Sequence, residues 1–311
     1  MAEAPTATVL VCCYTFDRFA DTVAAVRSVF DQTLPAQEVL VVVDHNPPLA
    51  EELGKALPGA VDFCLNEGQR GTSATRNAGV ARASGEVVAF LDDDAVAERD
   101  WLENLLGRFR NPNAMVVGGS SVPEWEQGAA PPWFPREYEF IFGCTGHIDL
   151  VLGEDGQVRN ATGSNMAVRR EVFEQLGGWT TELGRGSVKT GGEEAELCLR
   201  IRSAMPEALI LYEPSALVHH KVPRQRSTLR YVFTYAYHEG TVRALLEKRL
   251  AHYTARPLAG ERAYLRGLLL EAIPARLRRI YRPQAIAQLL VILANTTLVA
   301  LGYARGRLAH R

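Results

Sequence analysis

The sequence has few of the residues that would cross-link or export it. Its five cysteines show no pairing pattern and mostly lie in apolar surroundings: Cys12, Cys13, Cys64, Cys144 and Cys198. An odd, scattered set argues against a disulfide framework and favours reduced cysteines in a cytosolic protein. The first five residues contain no basic group and lead straight into an apolar run, so no secretory signal is predicted.

Two common phosphate-binding motifs are also absent. No G-x-G-x-x-G follows the first apolar run, which argues against a dinucleotide enzyme. No G-x-x-x-x-G-K-[ST] is present either, which argues against a P-loop nucleotidase. Any phosphate group must therefore be bound by some other arrangement of glycines and basic residues.

Charge is unevenly distributed along the chain, which contains 34 basic and 36 acidic residues. Residues 221–311 hold 17 basic and 4 acidic side chains, so residues 1–220 carry a net charge of −15 and the remainder +13. The acidic part suits a metal ion, and the basic part suits phosphate, anionic lipid or an acidic partner. Nucleic acid is not expected as a partner, because no recognised nucleic-acid-binding module accompanies the arginines.

The first half of the chain alternates apolar runs with helical patterns. Strands are predicted at residues 8–14, 38–44, 61–65 and in the apolar run before Asp92, and helices at 19–30, 72–83 and 99–110. Such alternation predicts an α/β fold, in which a Rossmann-like, mostly parallel sheet has helices on both faces.

Three carboxylates follow the last of these apolar runs: Asp92, Asp93 and Asp94. A buried strand delivers the residues that follow it to the carboxyl edge of the sheet, where open α/β sheets bind ligands. Adjacent carboxylates repel one another unless a cation lies among them, so this stretch predicts a site for a hard metal ion. The alternative is a solvated acidic turn.

Two other stretches are predicted at the same edge. Asp44 ends the second strand, a usual place for a carboxylate that holds a ribose or a base, although a turn aspartate is the alternative. Residues 66–79 combine glycines, a helix start and the arginines Arg70 and Arg76, an arrangement that can receive a diphosphate. Taken alone, Arg76 can equally be an ordinary surface arginine.

Together, these motifs resemble those of the family 2 glycosyltransferases of the GT-A fold. The match continues in T-G-S-N-M-A-V-R-R at residues 162–170, G-G-W at 177–179 and G-G-E-E-A-E-L-C-L-R at 191–200. The resemblance runs from residue 8 to residue 220. It implies an inverting transfer of a sugar from a nucleotide-diphosphate sugar to a hydroxyl of a glycan or lipid-linked acceptor, with Mg²⁺ or Mn²⁺ as cofactor.

The resemblance also implies roles for individual positions. Asp92 and Asp94 match the ends of the D-x-D motif, and His220 matches the histidine of a V-x-H-x-V-P pattern, so these three are the implied metal ligands. A histidine that caps a strand is the alternative for His220. The implied contacts to the nucleotide sugar are Thr15, Asp44, Arg76, Asp92, Asp93 and Asn165. Contacts to the sugar or the acceptor are implied for Gly163, Ser164 and Trp179.

Glu194 occupies the position at which this family usually has the aspartate that acts as general base. It is one methylene longer than that aspartate, and Glu193 is the second candidate. The alternative for both is an ordinary acidic first turn of a helix predicted at residues 193–204, where carboxylates interact favourably with the helix dipole.

The last ninety residues are predicted to form a separate, basic helical region, 223–311, behind a catalytic domain at 1–222. Residues 285–304 are uncharged for the length of a membrane span, but Gln288, Asn295 and Gly302 recur every seven residues on one face. This pattern predicts a helix at a membrane surface or in a homodimer, with bundle core and a true span as alternatives. The expected location is cytoplasmic, at the inner face of the cell membrane.

Two other functions stay open at this stage. A sugar-nucleotide pyrophosphorylase-like nucleotidyltransferase also uses a parallel sheet and a metal-binding carboxylate, but it needs a glycine-rich basic loop after the first strand, which residues 14–18 do not supply. A non-catalytic nucleotide-sugar binding protein is the other alternative. The presence of Asp92, Asp94 and Glu194 argues against it.

Overall fold

The structure, a computed structural model, describes residues 4–183, 191–251, 253 and 259–309 and divides into two compact units. The first contains residues 1–122 and 154–220, and the second contains Pro123–Gly153 and Lys221–Arg311. The second division point lies two residues before the predicted domain boundary at residue 222. The segment Pro123–Gly153 groups with the C-terminal residues, and the predicted two-domain division stays a prediction.

The first unit is built on strands and helices that alternate along most of its length. The strands are β1 (Ala7–Cys13), β2 (Glu38–Asp44), β3 (Val61–Asn66), β4 (Val87–Asp92), β5 (Ala95–Ala97), β6 (Ala114–Trp125), β7 (Asn165–Arg169) and β8 (Leu209–Val222). The helices are α1 (Phe19–Phe30), α2 (Pro47–Ala56), α3 (Thr72–Val80), α4 (Trp101–Arg108), α5 (Arg170–Leu176) and α6 (Glu193–Ala204). The predicted α/β class is confirmed.

All eight strands form one sheet in the order β3-β2-β1-β4-β7-β6-β8-β5. The pairs among β1, β2, β3 and β4 are parallel, whereas β7 pairs antiparallel with β4 and β6, and β5 pairs antiparallel with β8. The sheet is thus mixed, with its parallel half made by the four strands that the sequence predicted.

Strands β1, β2 and β4 of the parallel half are buried on both faces, as their uninterrupted apolar sequence predicts, whereas β3 at the edge is partly exposed. Helix α4 adds Trp101, Leu102, Leu105 and Leu106 to this core. Helix α2 is absent from the sequence-based assignment, and it begins with two prolines, Pro47 and Pro48. Proline suits the first helical turn, and the side chain of Asn46 caps it by accepting from the backbone N–H of Leu49 at 3.3 Å.

Strand register brings three predicted site segments to one edge of the sheet. In the central pairs, Cys12 of β1 lies opposite both Val42 of β2 and Asp92 of β4. Asp44 lies opposite Asn66 at the end of β3. The acidic end of β4 and the carboxylate that ends β2 therefore share the carboxyl edge, with only β1 between them.

The second unit is mainly helical. Its helices are α7 (Leu229–Leu250), α8 (Ala259–Gly267), α9 (Ile273–Leu277) and α10 (Pro283–Ala309), with a π-helical turn, Leu268–Ala272, between α8 and α9. Helices α7 and α10 approach closely because glycines face the opposite backbone. A Cβ at Gly240 would overlap the carbonyl oxygen of Val299, and one at Gly302 would overlap that of Tyr237.

We expect Gly240→Ala to destabilise the second unit. Its methyl group would separate α7 from the backbone of α10, and overpacking of this kind costs about 1–3 kcal/mol. Gly107→Ala is the matched control, because a Cβ there meets nothing within 4 Å and alanine favours the helix by about 1 kcal/mol. Urea unfolding of both variants measures the difference, and equal stability would contradict close α7–α10 packing.

Candidate active site

Two aspartates and a histidine form a group that could hold a metal ion. Asp92 ends β4, Asp94 follows two residues later, and His220 comes from β8; their candidate ligand atoms all lie within 4.8 Å of one another. His220 Nε2 is 3.3 Å from Asp94 Oδ1 and 3.5 Å from Asp92 Oδ2. Asp94 and His220 are buried and Asp92 is partly exposed, so the group is open on one side. Carboxylate oxygens with one imidazole nitrogen fit a divalent cation such as Mg²⁺ or Mn²⁺.

Arg18, which sequence reasoning missed, pairs with the two later carboxylates. Its Nη1 lies 2.6 Å from Asp93 Oδ1 and its Nη2 lies 3.0 Å from Asp94 Oδ2. Burial lowers the pKa of Arg18, but Asp93 and Asp94 outweigh burial and leave it above its usual value. Burial raises the pKa of Asp93 to about 7, against the opposing effect of Arg18. The sequence signal was a lone arginine after β1, beside the strand with the acidic end.

Arg76 occupies the centre of the site and is buried. Its guanidinium lies 3.6 Å from Asp92 Oδ1, 3.4 Å from Glu194 Oε1 and 3.7 Å from Glu193 Oε1. It also donates to the carbonyl oxygen of Gly163 at 3.1 Å. Burial lowers the pKa of Arg76, but the surrounding carboxylates outweigh it and raise the pKa above the usual value. The arginine therefore stays charged and joins the metal-binding group to the glutamate pair.

The two glutamates at the start of α6 differ in exposure. The side chain of Glu193 is 3% exposed and accepts from the backbone N–H of Gly192 at 2.8 Å. That of Glu194 is 21% exposed and has Arg76 on one side. A general base must reach an incoming hydroxyl group, so the geometry favours Glu194 over Glu193 for that role.

The ring of Trp179 packs against the guanidinium of Arg76. This ring is 2% exposed, packs edge-on against Phe90 with ring centroids 5.4 Å apart, and has the Arg76 guanidinium 5.0 Å from its centroid. The backbone of Trp179 is held by Asn77, which donates to its carbonyl oxygen at 2.9 Å and accepts from its N–H at 2.7 Å. In the structure Trp179 makes a cation–π contact with Arg76, and its contact with a sugar stays a prediction.

The T-G-S-N segment, residues 162–165, leads into β7, and only part of it borders the candidate site. A Cβ at Gly163 would overlap both Glu194 and Arg76, so glycine is needed there and this position borders the site. Ser164 is buried and lies 3.3 Å from the hydroxyl of Ser121.

Asn165 is fully buried in the sheet. Its amide accepts from the indole N–H of Trp101 at 2.8 Å and donates to the carbonyl oxygens of Ser120 and Ala216, both at 2.9 Å. These bonds occupy the side chain in the core. The contact of Asn165 with the nucleotide sugar stays a prediction.

Asp44 organises the adjoining loop between β3 and α3. Its Oδ1 accepts from the Asn66 amide at 2.8 Å and contacts His45 Nδ1 at 2.7 Å, and its Oδ2 accepts from the backbone N–H of Gly71 at 3.0 Å. Thr15 lies in the loop after β1 and caps a short helical turn by accepting from the backbone N–H of Asp17 at 3.2 Å. The contacts of both residues with a nucleotide stay predictions.

Arg200 was also missed. It forms an ion pair with Glu196, one turn earlier on α6, at 2.9 Å. It donates as well to the carbonyl oxygens of Leu176, Gly177 and Gly178, at 2.6, 3.1 and 2.8 Å. The helix that carries Glu194 is thereby tied to the loop that carries Trp179.

A mixed α/β sheet, with an Asp-Asp-His group that could hold a metal and an arginine-linked glutamate at its carboxyl edge, is the arrangement of a GT-A glycosyltransferase. The model of the family "Glycosyl transferase family 2" matches residues 8–177. This match covers more than half of the chain, which therefore belongs to the family 2 glycosyltransferases and is a glycosyltransferase.

Relatives and solved structures agree with this assignment. The chain is 33% identical over 310 residues to a glucosyl-dolichyl phosphate glucuronosyltransferase of Haloferax volcanii, covering 96% of both chains. It is 26% identical to the succinoglycan biosynthesis protein ExoM of Rhizobium meliloti, over 78% of this chain and 75% of that one. The fold is similar to that of the mannosyltransferase PcManGT from Pyrobaculum calidifontis, solved with GDP-Man and Mn²⁺, with a TM-score of 0.61, 19% identity and coverage of 97% and 88%.

Adjacent histidines provide a matched test of the metal-binding group. His220 faces Asp92 and Asp94, whereas His219 contacts Glu98 at 2.8 Å. We expect His220→Ala and Asp94→Ala to abolish the rise in melting temperature that Mn²⁺ produces in the wild type, because bound metal stabilises the folded state. His219→Ala should keep that rise. Loss of the Mn²⁺ effect in His219→Ala alone would contradict the assignment.

Proposed function

We propose that this chain transfers a sugar, with inversion, from a nucleotide-diphosphate sugar to a hydroxyl of a lipid-linked glycan, with Glu194 as general base. The observation that carries the proposal is the linkage of Asp92 to Glu194 through one guanidinium, that of Arg76. A metal-binding group and a partly exposed carboxylate are thereby held at one edge of the sheet. Inverting transfer needs both, one for the leaving group and one for the attacking hydroxyl.

The proposed reaction is a single displacement. The acceptor oxygen forms a bond to the anomeric carbon while the bond from that carbon to the diphosphate breaks. The hydroxyl proton passes to Glu194, and the bonding electrons leave with the nucleoside diphosphate. A divalent cation held by Asp92, Asp94 and His220 would supply charge stabilisation for that diphosphate. Arg76 orients Glu194 and Asp92 in this scheme, and its contact with the diphosphate stays a prediction.

One feature of the site favours Mn²⁺ over Mg²⁺, and another favours a nucleotide bound beside the metal. The metal-binding group includes an imidazole, which suits Mn²⁺ better than Mg²⁺, a cation that prefers oxygen ligands and water. The loop held by Asp44 and Gly71 lies next along the same edge, where we place the base and ribose of the donor.

The acceptor proposal has a different source. The relative that aligns over 96% of both chains is named for transfer of a glucuronosyl group to a sugar on dolichyl phosphate. We infer an acceptor of the same chemical class here, a sugar on a long-chain lipid phosphate, and place the enzyme at the cytosolic face of a membrane. Within the described residues the five cysteines form no disulfide, and unlinked thiols are compatible with a reducing compartment.

The base assignment is tested by two isosteric changes. We expect Glu194→Gln to reduce the rate of transfer by at least about 100-fold, because a positioned general base contributes about 10²–10⁴. The donor is first identified by a thermal-shift panel of UDP, GDP, dTDP and CMP sugars with Mn²⁺, and the variant should still bind it. Glu193→Gln should keep most activity. The reverse ranking would make Glu193 the base, and unchanged turnover in both variants would reject both glutamates as the base.

The second unit carries a surface suited to a membrane, which we call the apolar face. On α10 it comprises Ile286, Leu290, Leu293, Leu301 and Leu308, which are exposed and share one side of the helix. At the preceding turn it continues with Leu277, Ile280 and Tyr281, the last 74% exposed. Exposed arginines flank that turn: Arg278, Arg279 and Arg282. Apolar side chains beside arginines fit a bilayer with anionic headgroups.

Helix α10 is long and apolar enough to cross a membrane by length and composition. Its packing favours a position in the plane of the surface instead. Helix α7 lies against it and carries Glu239, Arg243 and Glu247, and Tyr303 of α10 bonds to Glu247. A spanning position for α10 would draw these charged groups into hydrocarbon at high cost.

We expect wild-type protein to co-sediment with vesicles containing phosphatidylglycerol, and the double variant Leu290→Asp/Leu293→Asp to lose this binding. Phe30→Asp is the control, because Phe30 is also an exposed apolar side chain, lies in the first unit and is outside the apolar face. Arg278→Gln/Arg279→Gln should weaken binding to anionic vesicles only. A dimer that the Leu290 and Leu293 changes dissolve, without vesicle binding by the wild type, would assign the apolar face to a second copy instead.

A further inference from the structure

Arg18 lies against the acidic end of β4 and contacts one of the two carboxylate oxygens of Asp94, whereas the other oxygen faces His220. Its Nη2 is 3.0 Å from Asp94 Oδ2, while the other oxygen of that carboxylate, Oδ1, is 3.3 Å from His220 Nε2. Its Nη1 is 2.6 Å from Asp93, a residue outside the candidate metal-binding group. The arginine thus contacts a metal ligand from the side opposite the histidine.

The negative charge at this edge of the sheet explains why a cationic side chain such as Arg18 is needed. Asp92, Asp93, Asp94, Glu193 and Glu194 meet there, and among the described residues Arg18 and Arg76 are the arginines that form ion pairs with them. Asp93 is buried, and its Oδ2 has no hydrogen-bond partner in the described part of the chain. A buried carboxylate without a counter-charge is strongly destabilising. Without Arg18, the metal-free protein would bury two adjacent aspartates that have no cation.

We propose that Arg18 is an internal counter-ion of the metal site: it stabilises the acidic end of β4 when no metal is bound, and it lowers the affinity of the site for free divalent cations. This inference rests on the proposed function, because it requires a metal at Asp92, Asp94 and His220. Arg18 is a positioning residue in this scheme, and it acts through Asp93 and Asp94.

Two opposing effects decide the direction of the expected change. Arg18 orients Asp94, which favours metal binding, but its positive charge repels a second cation at the same carboxylate. Asp94 is buried and also held beside His220, so it keeps most of its order without Arg18. An aspartate has little rotamer entropy to lose, whereas like charges a few ångströms apart interact strongly at a partly buried site. Repulsion is therefore the larger effect.

The test is a titration of metal-free protein with Mn²⁺ alone, followed by electron paramagnetic resonance of the free ion. We expect Arg18→Met to bind Mn²⁺ at least about fivefold more tightly than the wild type. Its metal-free form should melt at a lower temperature, and Mn²⁺ should raise that temperature more than in the wild type. Arg18→Lys keeps the positive charge and should stay within about twofold of the wild-type affinity.

Arg276→Met is the matched control for loss of a buried ion pair. Arg276 pairs with Glu137 at 2.7 Å in the second unit, so its loss should lower the melting temperature but leave Mn²⁺ affinity unchanged. If Arg18→Met does not fold, the comparison is made between Asp93→Asn and Arg18→Met/Asp93→Asn. Removing the carboxylate that Arg18 neutralises restores stability, and the double variant should still bind Mn²⁺ more tightly than Asp93→Asn.

Weaker or unchanged Mn²⁺ binding in folded Arg18→Met would overturn the proposal. Binding by Arg18→Met but not by the wild type would support it in its strongest form. If neither protein binds Mn²⁺, the metal site of the proposed function fails, and the counter-ion role fails with it. A wild type that binds Mn²⁺ through His220, with a variant that binds less, leaves the metal site intact and rejects only the role of Arg18.

Discussion

The concentration of negative charge at one edge of the sheet is the constraint on which the site depends. Five carboxylates converge there from β4, its following turn and α6, and two arginines keep them together. Arg76 is fixed in turn by Trp179, whose backbone is held by Asn77. Parallel packing of buried strands sets where this edge lies, and the arginines determine which carboxylate oxygens remain for a metal or a proton.

The parallel half of the fold followed from sequence because three of its four strands, β1, β2 and β4, are uninterrupted apolar runs. The meeting of Asp92, Asp94 and His220 was predicted as well, since each stands in a recognisable local pattern, and their role as metal ligands stays a prediction. Arg18 and Arg200 were missed because their roles come from side chains that meet across long sequence separations. Asn165 shows the same limit. Its motif suggested a ligand contact, but the sequence could not show that its amide oxygen accepts a hydrogen bond from the Trp101 indole in the core.

The second unit depends on close helix packing instead of on paired charges. Its helices are positioned by backbone approach at Gly240 and Gly302, which leaves the apolar residues of α10 outside the contact. The seven-residue spacing of Gln288, Asn295 and Gly302 predicted a special face, and Asn295 and Gly302 are indeed on the buried side. The exposed side is apolar, which sequence periodicity could not separate from core. A lipid-linked acceptor would be presented at such a surface, so membrane contact and acceptor class are two parts of one proposal.

The most direct test of the central claim is the position of a bound metal. Crystals grown with Mn²⁺ and the nucleotide that stabilises the protein would be measured near the manganese absorption edge. The proposed function predicts one anomalous peak bounded by Asp92, Asp94 and His220, with the diphosphate beside it and the Glu194 carboxylate on the far side of Arg76. A peak elsewhere, with these three side chains paired only to protein groups, would contradict it.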